Sequence, residues 1–176
     1  MTKDVFDCMR ENHSIRIFNH NQEVSEAAVT RILEAACWAP SAGNLQPWFF
    51  YVVKNQQVKQ QLSEACFDQQ QIAQAPYNIV VMADPSRSND RYGERGAQLY
   101  CIQDTAAAVE NMLLAADGLG IGTCWIGAFD EHKVQQAVEA PPRFRAVAII
   151  CLGYSNEPVS DPKERMKVAE VTKIIH

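Results

Sequence analysis

One long helical pattern constrains the fold of this 176-residue chain more than any other feature. Between residues 99 and 119, apolar residues recur every three or four positions, which is the period of one helix face: Leu99, Ile102, Ala106, Val109, Leu113, Ala116 and Leu119. Alanines extend the apolar surface to other sides of the same helix. We therefore expect this helix to be buried from more than one direction.

Three alternating glycines, Gly118, Gly120 and Gly122, follow that helix. Glycines in a dinucleotide-binding motif follow a strand and open a helix, whereas these close a helix and precede the strand-like segment 123–126. They are better explained as a helix C-terminus, where glycine adopts the left-handed conformation.

The remaining pattern alternates strands and helices. Apolar runs predict strands at 48–54, 78–83, 123–126 and 145–152, with 78–83 central and buried. Helices are expected at 4–11, from an N-cap at Ser25 to about residue 38, at 55–65, at 69–75 and after Asp130. No repeat or internal boundary interrupts the chain, so residues 1–176 are expected to form one α/β or α+β domain.

Several apolar residues lie outside these main elements. Val5, Phe6 and Met9 are expected on one side of the first helix, and Ile15 and Ile17 alternate with polar residues as in an extended segment. In the charged C-terminal segment, the residues left to anchor the chain are Val168, Val171, Ile174 and Ile175.

Composition excludes several classes of function. The net charge of −5 disfavours a general nucleic-acid binder, because phosphate binding requires a basic surface. Neither a signal-peptide core nor an apolar run approaching the roughly 20 residues of a membrane span is present, so we expect a cytoplasmic protein. The six cysteines and four histidines form no redox or metal-binding motif, and reduced, structural cysteines are expected.

The segment 39–48 reads Ala-Pro-Ser-Ala-Gly-Asn-Leu-Gln-Pro-Trp. Its two prolines fix φ, and the residues between them offer hydroxyl, amide and backbone groups. Such a loop is either a stiff helix-to-strand connector or a cradle for a planar, polar ligand. Judged alone, it favours the connector, because turn residues are common in loops.

Other motifs change that balance when they are taken together. The chain contains His13-Ser14-Ile15-Arg16 near its start, Trp125-Ile126-Gly127 after the long helix, and Lys163-x-Arg165 near its end. In this order and spacing, together with the 39–48 segment and the long helix, they make the sequence resemble the FMN-dependent nitroreductase family over nearly its whole length.

The resemblance implies an α+β homodimer with a three-layer fold, a mostly antiparallel sheet and FMN at the subunit interface. Asn12, His13, Ser14 and Arg16 would line the phosphate and pyrimidine side. Residues that the resemblance places elsewhere around FMN are the phosphate-binding Lys163 and Arg165, the partner-facing Pro40, Ser41, Ala42 and Asn44, the ring-facing Trp125, Ile126 and Gly127, and Gln69 at the flavin edge.

One position departs from the family pattern. Many members carry a basic residue where this chain has Asn12. An amide supplies hydrogen bonds without charge, so phosphate binding here would depend more on Arg16, Lys163 and Arg165, whose cationic groups grip phosphate well.

The implied activity is hydride transfer from NAD(P)H through FMN to an electron-poor acceptor such as a nitroaromatic or a quinone, in a ping-pong sequence. FMN would carry the chemistry, and no catalytic acid or base stands out in the sequence. Two alternatives remain open: a specialised flavin enzyme, dehalogenase-like or flavin-fragmenting, and a non-enzymatic FMN carrier or regulatory module.

The polar segment 84–96 contains Tyr92 and the arginines Arg87, Arg91 and Arg95. We expect a loop there, because the segment has no apolar periodicity. A polar loop of that length is either a lid that shapes acceptor choice or a solvated connection.

Overall fold

A computed structural model describes residues 3–157 and 164–175. Their elements, in chain order, are α1 (Val5–Glu11), α2 (Glu26–Cys37), a 3₁₀ turn (Ala42–Asn44), β1 (Trp48–Val53), α3 (Gln56–Ala65), α4 (Gln70–Gln74), β2 (Tyr77–Ala83), α5 (Pro85–Arg95), a π-helical turn (Gly96–Tyr100), α6 (Cys101–Gly118), β3 (Gly122–Ile126), α7 (Glu131–Ala137), β4 (Arg145–Gly153) and α8 (Val168–Val171).

The sheet is antiparallel throughout, with strand order β1-β2-β4-β3. β1 and β3 therefore form its edges, and every residue of β2 is buried, as predicted for 78–83. The fold is α+β, as the family resemblance implied.

Helices cover both faces of the sheet, and β2 contributes alternately to the two cores. Val80 and Met82 pack on one face with residues of α3, α4 and α7, while Ile79 and Val81 pack on the other face with residues of α2 and α6. Full burial of a side chain of this size contributes about 1.5–3 kcal/mol. The long helix α6 lies between the sheet and α2, which explains why it is apolar on several sides.

Polar residues fix the helix ends where the sequence predicted them. Ser25 accepts from the Ala28 amide at the start of α2, and Asp130 accepts from two amides at the start of α7. Helix α6 ends in a Schellman motif: the Gly120 amide donates to the Asp117 carbonyl and the Ile121 amide to the Ala116 carbonyl. The helix-terminus interpretation of the glycines is confirmed.

The expectation of a loop at 84–96 is wrong, because Pro85–Arg95 forms helix α5. Asp84 caps the helix, accepting from the Arg87 amide, and Pro85 occupies the first turn, where it is well tolerated. Only Ser88 of this helix is buried, so no apolar stripe marked it. The helix breaks at Gly93, whose backbone angles are not helical.

Several apolar side chains are exposed in the single chain, and for the C-terminal group this exposure contradicts the expectation that it anchors the tail. Val5, Phe6 and Met9 of α1 are exposed, and Ile17 is exposed although Ile15 is buried. The C-terminal residues expected to anchor the tail are exposed as well: Val168, Val171, Ile174 and Ile175. No residue in the described ranges covers these side chains, so their sequence pattern does not indicate a core within that part of the chain.

Candidate functional site

The N-terminal motif lies beside the edge strand β3. Ser14 pairs with Thr123 in an isolated parallel bridge, and the Ile15 amide donates to the Thr123 carbonyl at 2.8 Å. The buried Ile15 side chain anchors this segment in the core. The motif is thereby fixed next to the strand that leads to Trp125, Ile126 and Gly127.

The side chains of this motif differ in how they are held. The Asn12 amide donates to the Leu113 carbonyl of α6 at 3.2 Å, and His13 Nδ1 lies 2.8 Å from the Glu11 carbonyl. Arg16 is exposed, and its guanidinium is 3.5 Å from the Ser14 carbonyl. None of the described carboxylates forms an ion pair with Arg16. Asn12 thus fixes the segment to α6, whereas Arg16 is available to bind an anion.

The end of β3 offers an open, partly aromatic surface. Trp125 is 39% exposed, Ile126 is buried, and no atom within 4 Å would meet a Cβ at Gly127. Gln69 donates to the Ala128 carbonyl at 3.3 Å, which places it next to this segment. A planar ligand has room here against backbone and an indole ring.

The 40–46 loop is tightly built and lies near the other edge strand, β1. Gly43, Asn44 and Gln46 all have positive φ angles. Ser41 Oγ accepts from the Gln46 amide at 3.0 Å, and Gln46 Nε2 reaches the Asn44 carbonyl at 3.3 Å. The loop is therefore held in one shape by its own polar groups.

Asp104, at the start of α6, anchors the loop to the core. Its Oδ1 accepts from the Ala42 amide at 3.0 Å, and the residue is 7% exposed. Burial raises the pKa of this carboxyl, and the hydrogen bond from Ala42 partly opposes that shift. Asp104 Oδ2 is buried without a hydrogen-bond partner among the described residues. Asp104 therefore ties the loop to α6 through the Ala42 amide.

Helix α5 covers the same loop from outside. Arg87 donates to the Gln46 carbonyl at 2.9 Å and Arg91 to the Gly43 carbonyl at 3.2 Å. These contacts place the 84–96 segment at the candidate site as a helix that rests on it.

Replacing Gly43 with alanine is expected to lower the free energy of unfolding by at least roughly 1–2 kcal/mol, the cost of a left-handed L-residue. Gly43 has φ +59°, and an added Cβ would lie 2.5 Å from the Tyr92 hydroxyl and 2.8 Å from the Arg91 guanidinium. Urea unfolding would measure the change. Gly127→Ala is the control, because the added methyl meets open space there. Equal stability of the two variants would contradict the tight packing of α5 on the loop.

A single chain does not bring the N-terminal motif and the 40–46 loop together around one pocket. Ala42 is bonded to Asp104 and Asn12 to Leu113, which are nine residues and so roughly 14 Å apart along α6. The loop also leads into β1 while the N-terminal motif borders β3, at opposite edges of the sheet. Arg165 is exposed in the C-terminal segment, and Lys163 lies outside the described residues.

Comparison with known proteins decides the family. The family model for nitroreductases matches residues 9–80 and 67–154. The chain belongs to the nitroreductase family. A protein of Archaeoglobus fulgidus is 37% identical over 148 residues, covering 82% of this chain and 81% of the relative. That relative is named both as an NADH dehydrogenase and as an NAD(P)H nitroreductase. An NADH dehydrogenase of Thermus thermophilus is 30% identical, with 92% and 91% of the two chains covered.

Solved structures place this member of the nitroreductase family in the same fold as its relatives. A nitroreductase family protein from Streptococcus pneumoniae superposes with a TM-score of 0.88 at 25% identity, covering 98% of this chain and all of the other. As a member of the family, the chain is an oxidoreductase. No helix in the described part is both long and apolar enough to cross a membrane, and no cluster of three or more potential metal ligands occurs there.

Sequence reasoning missed the residues that support the 40–46 loop. Arg87 and Arg91 were grouped in a loop, although the Asp84-Pro85 pair is a helix-start signal that could have revealed α5. Their contacts with carbonyls of Gln46 and Gly43 have no sequence signal, because those contacts depend on how α5 packs.

Proposed function

We propose that this nitroreductase is an FMN-dependent enzyme that transfers a hydride from NAD(P)H to an electron-poor acceptor such as a nitroaromatic or a quinone. The observation that carries the proposal is the position of Arg16. Its cation has no carboxylate partner among the described residues, and its segment is fixed by Ser14 to the strand ending in the open Trp125–Gly127 surface.

The residues present fit FMN. The cofactor has a planar, aromatic ring system and a phosphate, and it supplies the hydride chemistry when bound. The exposed indole of Trp125 and the open space at Gly127 suit the ring system. Arg16 and the exposed Arg165 suit the phosphate or the electron-rich edge of the ring. A cation beside that edge stabilises negative charge there.

The protein's own groups would orient the cofactor from two sides. Ser14 and His13 offer polar atoms beside β3, and the loop containing Pro40, Ser41, Ala42 and Asn44 offers a rigid rim held by Asp104. Because the Asn12 amide bonds the Leu113 carbonyl, that residue positions the segment and leaves phosphate binding to Arg16, Arg165 and Lys163.

A homodimer would bring the two sides together, with the 40–44 segment facing the partner's cofactor. Exposed apolar side chains support such an interface, because monomeric proteins rarely expose large contiguous apolar patches. They include Val5, Phe6, Met9, Trp38, Met166, Val168, Val171, Ile174 and Ile175.

Changing the four apolar tail residues Val168, Val171, Ile174 and Ile175 to serine is expected to convert the dimer to a monomer, since each is at least 63% exposed in the single chain. Size-exclusion chromatography with light scattering measures the mass. Lys173→Gln is the control, because it alters the same segment without removing apolar surface. A monomeric parent, or a variant that stays dimeric, would contradict this role.

The purified protein tests the proposed function directly. We expect a yellow protein that releases FMN on denaturation, and stopped-flow mixing with NADH or NADPH should bleach the flavin absorbance before an acceptor restores it. A flavin that neither donor bleaches would rule out the reductase and favour a carrier.

A further inference from the structure

The hydroxyl of Tyr92, on helix α5, lies directly over the 40–46 loop. A Cβ added at Gly43 would be 2.5 Å from this oxygen and 2.8 Å from Nη1 of Arg91, so both groups border the same face of the loop backbone. Arg91 also donates to the Gly43 carbonyl at 3.2 Å. A phenol and a guanidinium, both hydrogen-bond donors, thus converge at a point where the loop has no side chain.

The ring of Tyr92 is fixed by its neighbours on α5 and on the π-helical turn. It meets the ring of Tyr100 edge to face, with the centroids 5.4 Å apart and the planes at 76°. Gly96 lets the chain pass close by, because a Cβ there would lie 2.8 Å from Cβ of Tyr92. The guanidinium of Arg91 lies 5.5 Å from the centroid of the Tyr92 ring. These contacts hold the ring, and the ring in turn holds its hydroxyl over the loop.

This hydroxyl has no hydrogen-bond partner in the part of the chain that the structure describes. Tyr92 is half-buried, and its oxygen neither donates to nor accepts from a described residue. Tyr100 differs, because its hydroxyl accepts from Arg95 at 3.2 Å. Arg91 forms no ion pair with a described carboxylate. A fixed donor without a partner, at the rim of the candidate site, is available to a ligand.

We propose that the Tyr92 hydroxyl donates a hydrogen bond to an oxygen of the electron acceptor, and that it thereby favours quinones and nitro compounds over acceptors that take electrons alone. This inference rests on the proposed function. In the proposed dimer the 40–44 segment faces the partner's FMN, so an acceptor that receives the hydride there lies beside this loop. Negative charge develops on the oxygen of such an acceptor, and a donor aimed at that oxygen stabilises the transition state more than the ground state.

Two kinds of acceptor separate the hydrogen bond from electron transfer itself. A quinone takes the hydride, which is two electrons and one proton, and gains its second proton from solvent, so Tyr92 keeps its own proton. Ferrocenium takes one electron per ion and offers no oxygen. Two ferrocenium ions take both electrons of reduced FMN, and the protons released pass to solvent. A hydrogen bond from Tyr92 therefore assists the quinone alone.

The test is anaerobic stopped-flow reoxidation of FMN-loaded protein that has been reduced photochemically, so that no nicotinamide is present. The acceptors are ferrocenium and tetramethyl-1,4-benzoquinone, which has no free ring position for the exposed thiol of Cys37 to attack. We expect Tyr92→Phe to lower the rate constant with the quinone about tenfold or more, the effect of losing a hydrogen bond to a developing charge. The rate constant with ferrocenium should change little, so the ratio of the two falls.

Equilibrium binding provides a measurement that needs no electron transfer. Calorimetric titration of the oxidised protein with the same quinone should give a Kd that rises about two- to tenfold in Tyr92→Phe, because that hydrogen bond is to a neutral oxygen. Urea unfolding checks that Tyr92→Phe, which keeps the ring beside Tyr100, is folded. Tyr51→Phe is the matched control, since it removes a phenol hydroxyl from the sheet face that packs with α3 and α7. The control should keep the parent's quinone Kd and ratio of rate constants.

The outcomes separate this inference from the proposed function. If neither NADH nor NADPH bleaches the FMN of the parent, the proposed function fails and this inference fails with it. If a donor reduces the parent but Tyr92→Phe keeps the parent's ratio of quinone to ferrocenium rate constants, only the role of Tyr92 is wrong. If Tyr92→Phe binds FMN more weakly while that ratio is unchanged, the hydroxyl contacts the cofactor and the acceptor assignment is overturned.

Discussion

Replacing Asp104 with alanine is expected to weaken FMN binding about tenfold or more, because an unmade hydrogen bond to a buried group costs about 1–3 kcal/mol. Asp104 Oδ1 is the acceptor for the Ala42 amide at 3.0 Å. Without it, the positive φ angles at Gly43 and Asn44 lose the anchor that holds them to α6. FMN titration by fluorescence measures the affinity, and amide hydrogen exchange at Ala42 should report the loosened loop.

The matched control is Asp104→Asn, because its amide oxygen can still accept from Ala42. FMN affinity close to that of the parent is expected for the asparagine variant. Parent-like FMN affinity in the alanine variant would show that the anchor does not shape the site.

The difference in the free energy of unfolding between the parent and Asp104→Asn is expected to depend on pH. Burial raises the pKa of Asp104 above its ordinary value of 3.8, so the folded protein binds this proton more tightly than the unfolded chain does. The contribution of Asp104 to the free energy of unfolding is fully present at pH values below its ordinary pKa. It is lost as the pH rises through the pKa of Asp104 in the folded protein. The free energy of unfolding of the parent, relative to Asp104→Asn, should therefore fall as pH is raised from about 4 to 7. A difference that does not change over this window would contradict the shift.

Arg16→Ala is expected to weaken FMN binding by about 10- to 100-fold, the range for losing a hydrogen bond to a charged group. Arg16 is exposed and carries no ion pair with a described carboxylate, so its removal should cost little stability. Fluorescence titration measures the Kd for FMN, and urea unfolding checks the fold.

Arg10→Ala serves as the control for Arg16→Ala, because Arg10 is a nearby exposed arginine that pairs with Asp7 on α1. It should bind FMN like the parent. If Arg16→Ala also bound FMN and was reduced like the parent, the role assigned to Arg16 would be wrong.

Local signals in the sequence were sufficient to predict features that depend on a single residue and its hydrogen bond. Ser25 and Asp130 cap helices because their side chains reach amides two or three positions away. The run at 78–83 is apolar at both alternating positions, which required a strand covered on two faces. The alanine-rich α6 was expected between layers for the same reason.

Other features depend on contacts far apart in the chain. Helix α5 has only Ser88 buried, so its apolar pattern is too weak to show a helix. Ile17 and Ile174 look like core residues by type, but both are exposed in the described chain, and residue type alone does not reveal that. The bond between Ala42 and Asp104, 62 positions apart, follows from packing of the loop on α6.

Mixed dimers test the central claim, that each FMN site combines the Arg16 segment of one chain with the 40–44 loop of its partner. Differently tagged Arg16→Ala and Asp104→Ala chains would be co-expressed and the mixed dimer purified through both tags. In the mixed dimer, one FMN site carries both substitutions and the other FMN site carries neither. We expect each parent variant to bind FMN weakly and the mixed dimer to bind one FMN with the affinity of the unmodified protein. A mixed dimer that binds FMN as weakly as both parents would show that each site is built within a single chain.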